Sequence, residues 1–190
     1  MQLTEPKSRL WSKAEYYRMA ELGWFEGQRV ELIEGEVVVQ SPQSASHFGG
    51  TDRVADVLRA AFGREFWIRM QGPLDLGSRT ETEPDVTVVA NSSRSSGAHP
   101  TSAILVVEVS ESSLSYDRNR KASLYARSGM ADYWIVNLVD RHLEVRRDPV
   151  PDEGQPFGFR YRDVAVLKPG DLVAPLAFPA IRIPVADLIG

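Results

Sequence analysis

Ile104-Leu105-Val106-Val107-Glu108-Val109 is the most apolar run in the chain, and its reading decides the architecture. A continuous β-branched segment of this kind suits a strand buried on both faces at the centre of a sheet. Asp85-Val86-Thr87-Val88-Val89 before it and Tyr133-Trp134-Ile135-Val136-Asn137-Leu138 after it also read as strands. Between the last two, a helix is expected from about Tyr116 to Ser128, stopped by Gly129. Upstream, Ser12-Lys13-Ala14-Glu15 has the form of a capping box and predicts a short helix through about Leu22. The β-rich runs either side of Glu34-Gly35, from Arg29 to Val39, read as a hairpin. Ser46 to Phe62 reads as a second helix, with His47, Thr51, Val54, Leu58 and Ala61 on one stripe. Phe66 to Met70 and Pro73 to Leu76 read as strands, followed by a polar loop. Asn91 to Pro100 is expected to be a surface loop. After Asp140-Arg141 a strand runs from His142 to Arg146, then short strands and Pro-rich turns lead to a small helix around Val185 to Ile189. This order predicts one α/β (α+β) domain over 1–190, a single mixed sheet flanked by helices.

Composition narrows the function classes. A length of 190 residues with 43% hydrophobic content fits one globular domain and excludes wholesale disorder. No window approaches the roughly 18 apolar residues of a membrane span. Met1-Gln2-Leu3-Thr4-Glu5-Pro6 lacks a basic region followed by an apolar core, so a cytoplasmic protein without a secretory signal is expected. The absence of cysteine excludes disulfides, thiolate zinc sites and cysteine nucleophiles. Any metal must therefore be held by carboxylates, histidine, carbonyls and water, which favours Mg2+ or Mn2+. A net charge of −4 argues against indiscriminate coating of nucleic acid, but leaves room for a local basic cleft.

Three residues stand out. Glu108 lies among Leu105, Val106, Val107 and Val109, where an isolated carboxylate would cost several kcal/mol. It is either paired, neutralised or bound to a cation, or it marks a strand end emerging into solvent. Asp85 opens a comparable strand after Pro84, either as a turn acid or as a partner for Glu108. Two carboxylates on neighbouring strands, with water, make a Mg2+ site. Lys121 shares a helical stripe with Asp117, Leu124, Tyr125 and Ser128. It points along the buried side, or else forms an exposed i,i+4 pair with Asp117 worth a few tenths of a kcal/mol.

Glu83-Pro84-Asp85-Val86, Val106-Val107-Glu108-Val109-Ser110, Asp117-Arg118-Asn119-Arg120-Lys121 through Gly129, and Tyr133-Trp134-Ile135-Val136 together resemble the Uma-two family of restriction endonucleases. That family belongs to the PD-(D/E)XK nuclease superfamily. Arg29 to Glu36, and Ser41-Pro42 followed by His47, are also similar to its pattern. The resemblance runs from about Ser12 to Arg147, and weakly beyond. It implies a restriction-endonuclease-like fold and a Mg2+- or Mn2+-dependent endonuclease acting on DNA. Asp85 then supplies the Asp of the Pro-Asp pair, Glu108 the second acid and Lys121 a lysine delivered from the helix. Ser110 stands where the commonest superfamily pattern has its lysine. Glu31 matches a family glutamate expected to add a metal ligand or water contact, with Glu34 as the fallback. His47 matches a family histidine whose spacing alone also fits a structural role. Asn137 departs from the Asp frequent at that position.

In the implied mechanism Asp85 and Glu108 hold the metal, which activates water and neutralises charge at phosphorus. Lys121 orients or deprotonates that water and stabilises the transition state. Two other readings stand beside it: a catalytically silent nuclease-fold module that binds nucleic acid or protein, and a carboxylate-based sugar hydrolase. Cutting both strands of a duplex favours a homodimer. Arg118, Arg120, Arg127, Arg146 and Arg147 form the nearest thing to a basic footprint, with a solvated surface as the plainer reading.

Overall fold

The computed structural model describes residues 7–190, so the reading of Met1 to Pro6 lies outside the described residues. Chain order gives α1 (Lys13–Glu21), β1 (Val30–Ile33), β2 (Glu36–Val39), α2 (Ala45–Phe62), β3 (Phe66–Met70), β4 (Leu74–Gly77), β5 (Thr80–Thr82), β6 (Val86–Ala90) and β7 (Leu105–Ser110). Then follow α3 (Leu114–Tyr116), a π-helical turn (Asp117–Lys121), α4 (Ala122–Arg127), β8 (Asp132–Asn137), β9 (His142–Pro151) and β10 (Phe159–Leu167). The chain closes with β11 (Leu172–Val173), β12 (Ile183–Pro184) and α5 (Val185–Ile189). The class is α+β, as expected.

The main sheet has the order β10-β9-β8-β7-β6-β3, with β7 third from one edge. Only β7 and β8 run parallel; the other pairs are antiparallel. All six residues of β7 are buried, which is why its sequence is apolar without alternation. Val107 and Val109 pack with Val54 and Leu58 of α2 on one face. Val106 packs with Tyr125 and Ala126 of α4 on the other. The period of two therefore directs Glu108 toward α4.

The expectation of a single sheet is corrected. A second sheet, β2-β1-β5-β4, and a small β11-β12 ladder accompany the first. The stretch read as a polar loop before Asp85 contains β5, whose Thr80-Glu81-Thr82 is wholly buried although polar. Side-chain polarity hid a strand that tertiary packing covers. In the second sheet Val30 and Leu32 pack against Tyr16 and Met19 of α1. Alternation turns Glu31, only 1% exposed, the other way.

Local chemistry fixes the approaches. Ser12 and Glu15 form the capping box of α1, with Ser12 N–H donating to Glu15 Oε2 at 2.9 Å and Glu15 N–H donating to Ser12 Oγ at 3.3 Å. Gly50 lets α2 lie close on β7, since a Cβ there would sit 3.1 Å from Val109 Cγ1. The β1–β2 turn has positive φ at Glu34 (52°) and Gly35 (83°), the hairpin geometry that suits the sheet's twist. A Cβ at Gly35 would also meet Trp11 O at 2.9 Å. Gly35→Ala is therefore expected to cost about 1–3 kcal/mol, which a melting curve should show as a fall of several degrees. An unchanged melting temperature would show that the turn relaxes freely.

The helix carrying Lys121 starts at Leu114, two residues earlier than expected, and passes through the π-helical turn before becoming regular α-helix. The wider turn still leaves Asp117, Lys121, Leu124 and Tyr125 all buried. The exposed Asp117–Lys121 pair is thereby excluded.

Candidate active site

Antiparallel pairing of Val86 with Val107 puts Asp85 and Glu108 opposite each other at the end of β6. The two acids are interlocked through the backbone. Asp85 N–H donates to Glu108 Oε2 at 3.2 Å, and Val109 N–H donates to Asp85 Oδ2 at 2.9 Å. Lys121 reaches Glu108 Oε1 at 3.1 Å and Glu31 Oε1 at 2.7 Å. Tyr125, one turn on, donates its hydroxyl to the same Glu108 Oε1 at 2.7 Å. The structure thus brings together Asp85, Glu108, Lys121 and Glu31, from two sheets and one helix.

Glu31 is held on both oxygens. Oε1 also accepts from Glu83 N–H at 2.6 Å, and Oε2 accepts from Gln40 Nε2 at 2.6 Å. Its place in the structure is that of an anchor for Lys121. Glu34 lies elsewhere, bound to Arg127 and Thr80. His47 stands beside the pair, with Nε2 3.2 Å from Asp85 Oδ2 and its buried Nδ1 without a partner among the described residues.

Asp117 and Tyr125 enter the site without having been singled out for it from sequence. Asp117 accepts from Ser110 Oγ at 2.7 Å and Ser113 Oγ at 2.5 Å, tying the β7–α3 connection to the π-helical turn. Ser110 thus holds an acid of the helix. For Tyr125 the signal was present, at i+4 from Lys121 on the inward stripe.

Burial sets the electrostatics. Glu108 is pushed above the ordinary carboxylate range by desolvation, which Lys121 opposes and Asp85, Asp117 and Glu31 reinforce. Burial also raises Asp117, against the pull of Lys121 and the two serine hydroxyls. For Lys121 burial works downward, but the carboxylates of Glu108, Glu31 and Asp117 outweigh it and hold the ammonium well above its usual value. The hydrogen bond to Asp85 raises His47, in spite of desolvation.

The group opens into a cleft of about 170 Å3 that Arg29, Gln43, Ser44 and Glu83 help to line. Among the described residues no three His, Asp or Glu side chains already converge as a metal cage. Among the described residues Asp85 Oδ1 has no hydrogen-bond partner, and Glu108 Oε2 accepts only the long bond from Asp85 N–H. Two adjacent carboxylate oxygens with open lone pairs fit one hard divalent cation completed by water.

The arginines read as a basic footprint are mostly committed to acids. Arg118 and Arg146 hold the buried Glu144 at 2.8 and 2.7 Å, and Arg147 holds the buried Asp132 at 2.8 Å. Arg120 pairs with Glu36 and Arg127 with Glu34.

A mixed sheet flanked by helices, with paired carboxylates on two neighbouring strands and a helix lysine on one of them, defines a nuclease-like α+β protein. The chain belongs to the Uma2 family, described as "putative restriction endonuclease", whose model matches residues 14–186. Its fold is similar to the crystal structure of a "putative nuclease belonging to DUF820" from Anabaena variabilis, with a TM-score of 0.62 and 15% identity over 84% of this chain and 89% of that one. No curated protein matches the chain. Among the described residues no helix is long and apolar enough to cross a membrane.

Proposed function

We propose that the protein is a Mg2+- or Mn2+-dependent endonuclease that hydrolyses phosphodiester bonds of DNA. The observation that carries this reading is the Asp85–Glu108 pair with the Lys121 ammonium on Glu108. A cation held by Asp85 and Glu108 supplies charge neutralisation at the phosphate and lowers the pKa of water. Lys121 keeps its proton between two carboxylates, so its contribution is a fixed positive charge beside the reacting phosphate and not base catalysis. Glu31 and Gln40 hold that ammonium in place, and His47 orients Asp85. Plasmid nicking in Mg2+, in Mn2+ and in EDTA tests the proposal. Cleavage that EDTA stops is expected; intact plasmid in both metals would favour a silent nuclease-fold binding module. Light scattering showing twice the 21.2 kDa chain mass would support the homodimer that double-strand cutting favours.

Tyr125 supports the site from behind. Its hydroxyl and Lys121 together occupy Glu108 Oε1, which leaves Oε2 turned toward Asp85. Loss of a partner behind a ligand typically costs about 10–100-fold in metal affinity. Tyr125→Phe is expected to weaken Mn2+ binding by that order while Lys121 still satisfies Glu108. Unchanged affinity would show that Lys121 alone orients the carboxylate.

A further inference from the structure

Arg69 on β3 is 8% exposed, yet it makes no ion pair among the described residues. Lys121, Glu144 and Asp132, equally buried, each sit in salt bridges. Of its five N–H donors Arg69 uses one for Pro73 O, at 2.8 Å. None of its other guanidinium nitrogens is among the sealed, unpartnered polar atoms, so these donors keep contact with solvent and stay open to a ligand.

Two neighbours sharpen the anomaly. Arg69 Cζ lies 4.8 Å from the Trp67 ring centroid, and Arg94 Cζ lies 5.6 Å from the same ring. The aromatic face steadies both cations but offers no hydrogen-bond acceptor. Arg94 is exposed and, among the described residues, also without an acidic partner, so two like charges gather at one ring. At Gly72, a Cβ would come within 2.8 Å of Arg69 Nη2, so bare backbone is what leaves this donor room.

Strand register places this cluster relative to the carboxylates. Arg69 pairs with Thr87, and Thr87 with Val106, two residues before Glu108. Residues opposite or two apart share a face, so Arg69 and Glu108 project from the same side of the sheet. Two residues along the strand and two strand spacings across put Arg69 about 12 Å from Glu108 along the sheet, or about three to four nucleotide steps at the rise of one DNA strand.

We propose that Trp67, Arg69 and Arg94 form a second anion site, which takes a backbone phosphate of the nucleic-acid strand flanking the group at Asp85 and Glu108. The identity of the anion rests on the nuclease reading; the site itself rests on two arginines at one ring with no acid paired to either among the described residues. Free inorganic phosphate has the same chemistry and is the other source to be separated.

Anisotropy of a short labelled duplex in EDTA, across a salt series, should be measured for wild type, Arg69→Met and Arg94→Gln. Each variant is expected to weaken binding about 5- to 10-fold and to reduce the salt slope by about one. Arg94 is exposed, so that variant reports even if Arg69→Met folds poorly. Mg2+-dependent hydrolysis of bis(p-nitrophenyl) phosphate, which spans no second site, should be unchanged. Equal duplex affinity and salt slope in both variants would overturn the proposal. A melting temperature raised by inorganic phosphate in wild type but not in Arg69→Met, with duplex binding unaltered, would overturn the nucleic-acid assignment in favour of a free-anion site. Duplex binding lost in both variants, in a protein that never hydrolyses the small diester, would support this site while removing the catalytic reading.

Discussion

Lys121→Met is expected to abolish cleavage and, at neutral pH, to destabilise the fold by about 3–5 kcal/mol, because it strands Glu31 and Glu108 as buried carboxylates without their cation. The two effects separate with pH. Desolvation already raises the Glu108 pKa, and removing the ammonium that opposes this raises it further. A carboxyl whose folded pKa is raised above its unfolded value stabilises the fold below the unfolded pKa and loses that contribution as pH rises through the folded one. The variant's deficit should therefore shrink on acidification and grow toward pH 8. Lys121→Arg should fold better than the Met variant but still cut poorly, because a planar guanidinium does not place the same compact charge between the two acids. A Met variant that cuts normally, or whose stability deficit is flat with pH, would contradict the assigned geometry.

Asp85→Asn should remove activity with little loss of stability. The amide keeps the volume of the carboxylate and one oxygen to accept Val109 N–H, and it relieves the repulsion between two neighbouring buried acids. What disappears is the charge that would hold the cation. Losing several kcal/mol of transition-state stabilisation corresponds to about a thousandfold or more in rate. Single-turnover cleavage beside a melting curve checks both halves. Near-normal cleavage would reduce Asp85 to a turn residue.

Much of the site was legible because burial and charge conflict within single strands. Glu108 in a valine-rich run has few places to go, but with valines on both faces only the packing of α2 and α4 settles which face it takes. Lys121 was legible as inward from Leu124 and Tyr125, although the π-helical turn that carries it leaves no mark in local periodicity. Glu31 was legible from resemblance as a site residue, but its grip on Lys121 joins residues 90 apart in sequence and depends on how the second sheet docks. That sheet itself was hidden, since Thr80-Glu81-Thr82 carries no apolar pattern. The hold of Arg147 on Asp132 was invisible because it forms across paired strands, and that of Arg118 on Glu144 because it joins the π-helical turn to the sheet; Arg146 and Glu144, two apart on β9, share a face that the sequence could have suggested. The same holds for Trp67 and Arg94, which meet across the turn after β6.

A divalent cation held by Asp85 and Glu108 together would be the heart of the site. Mn2+ titration followed by electron paramagnetic resonance tests it without requiring a substrate. Wild type is expected to bind one ion, and both Asp85→Asn and Glu108→Gln to lose that binding. Equal Mn2+ binding in wild type and both variants, or none in wild type, would contradict it.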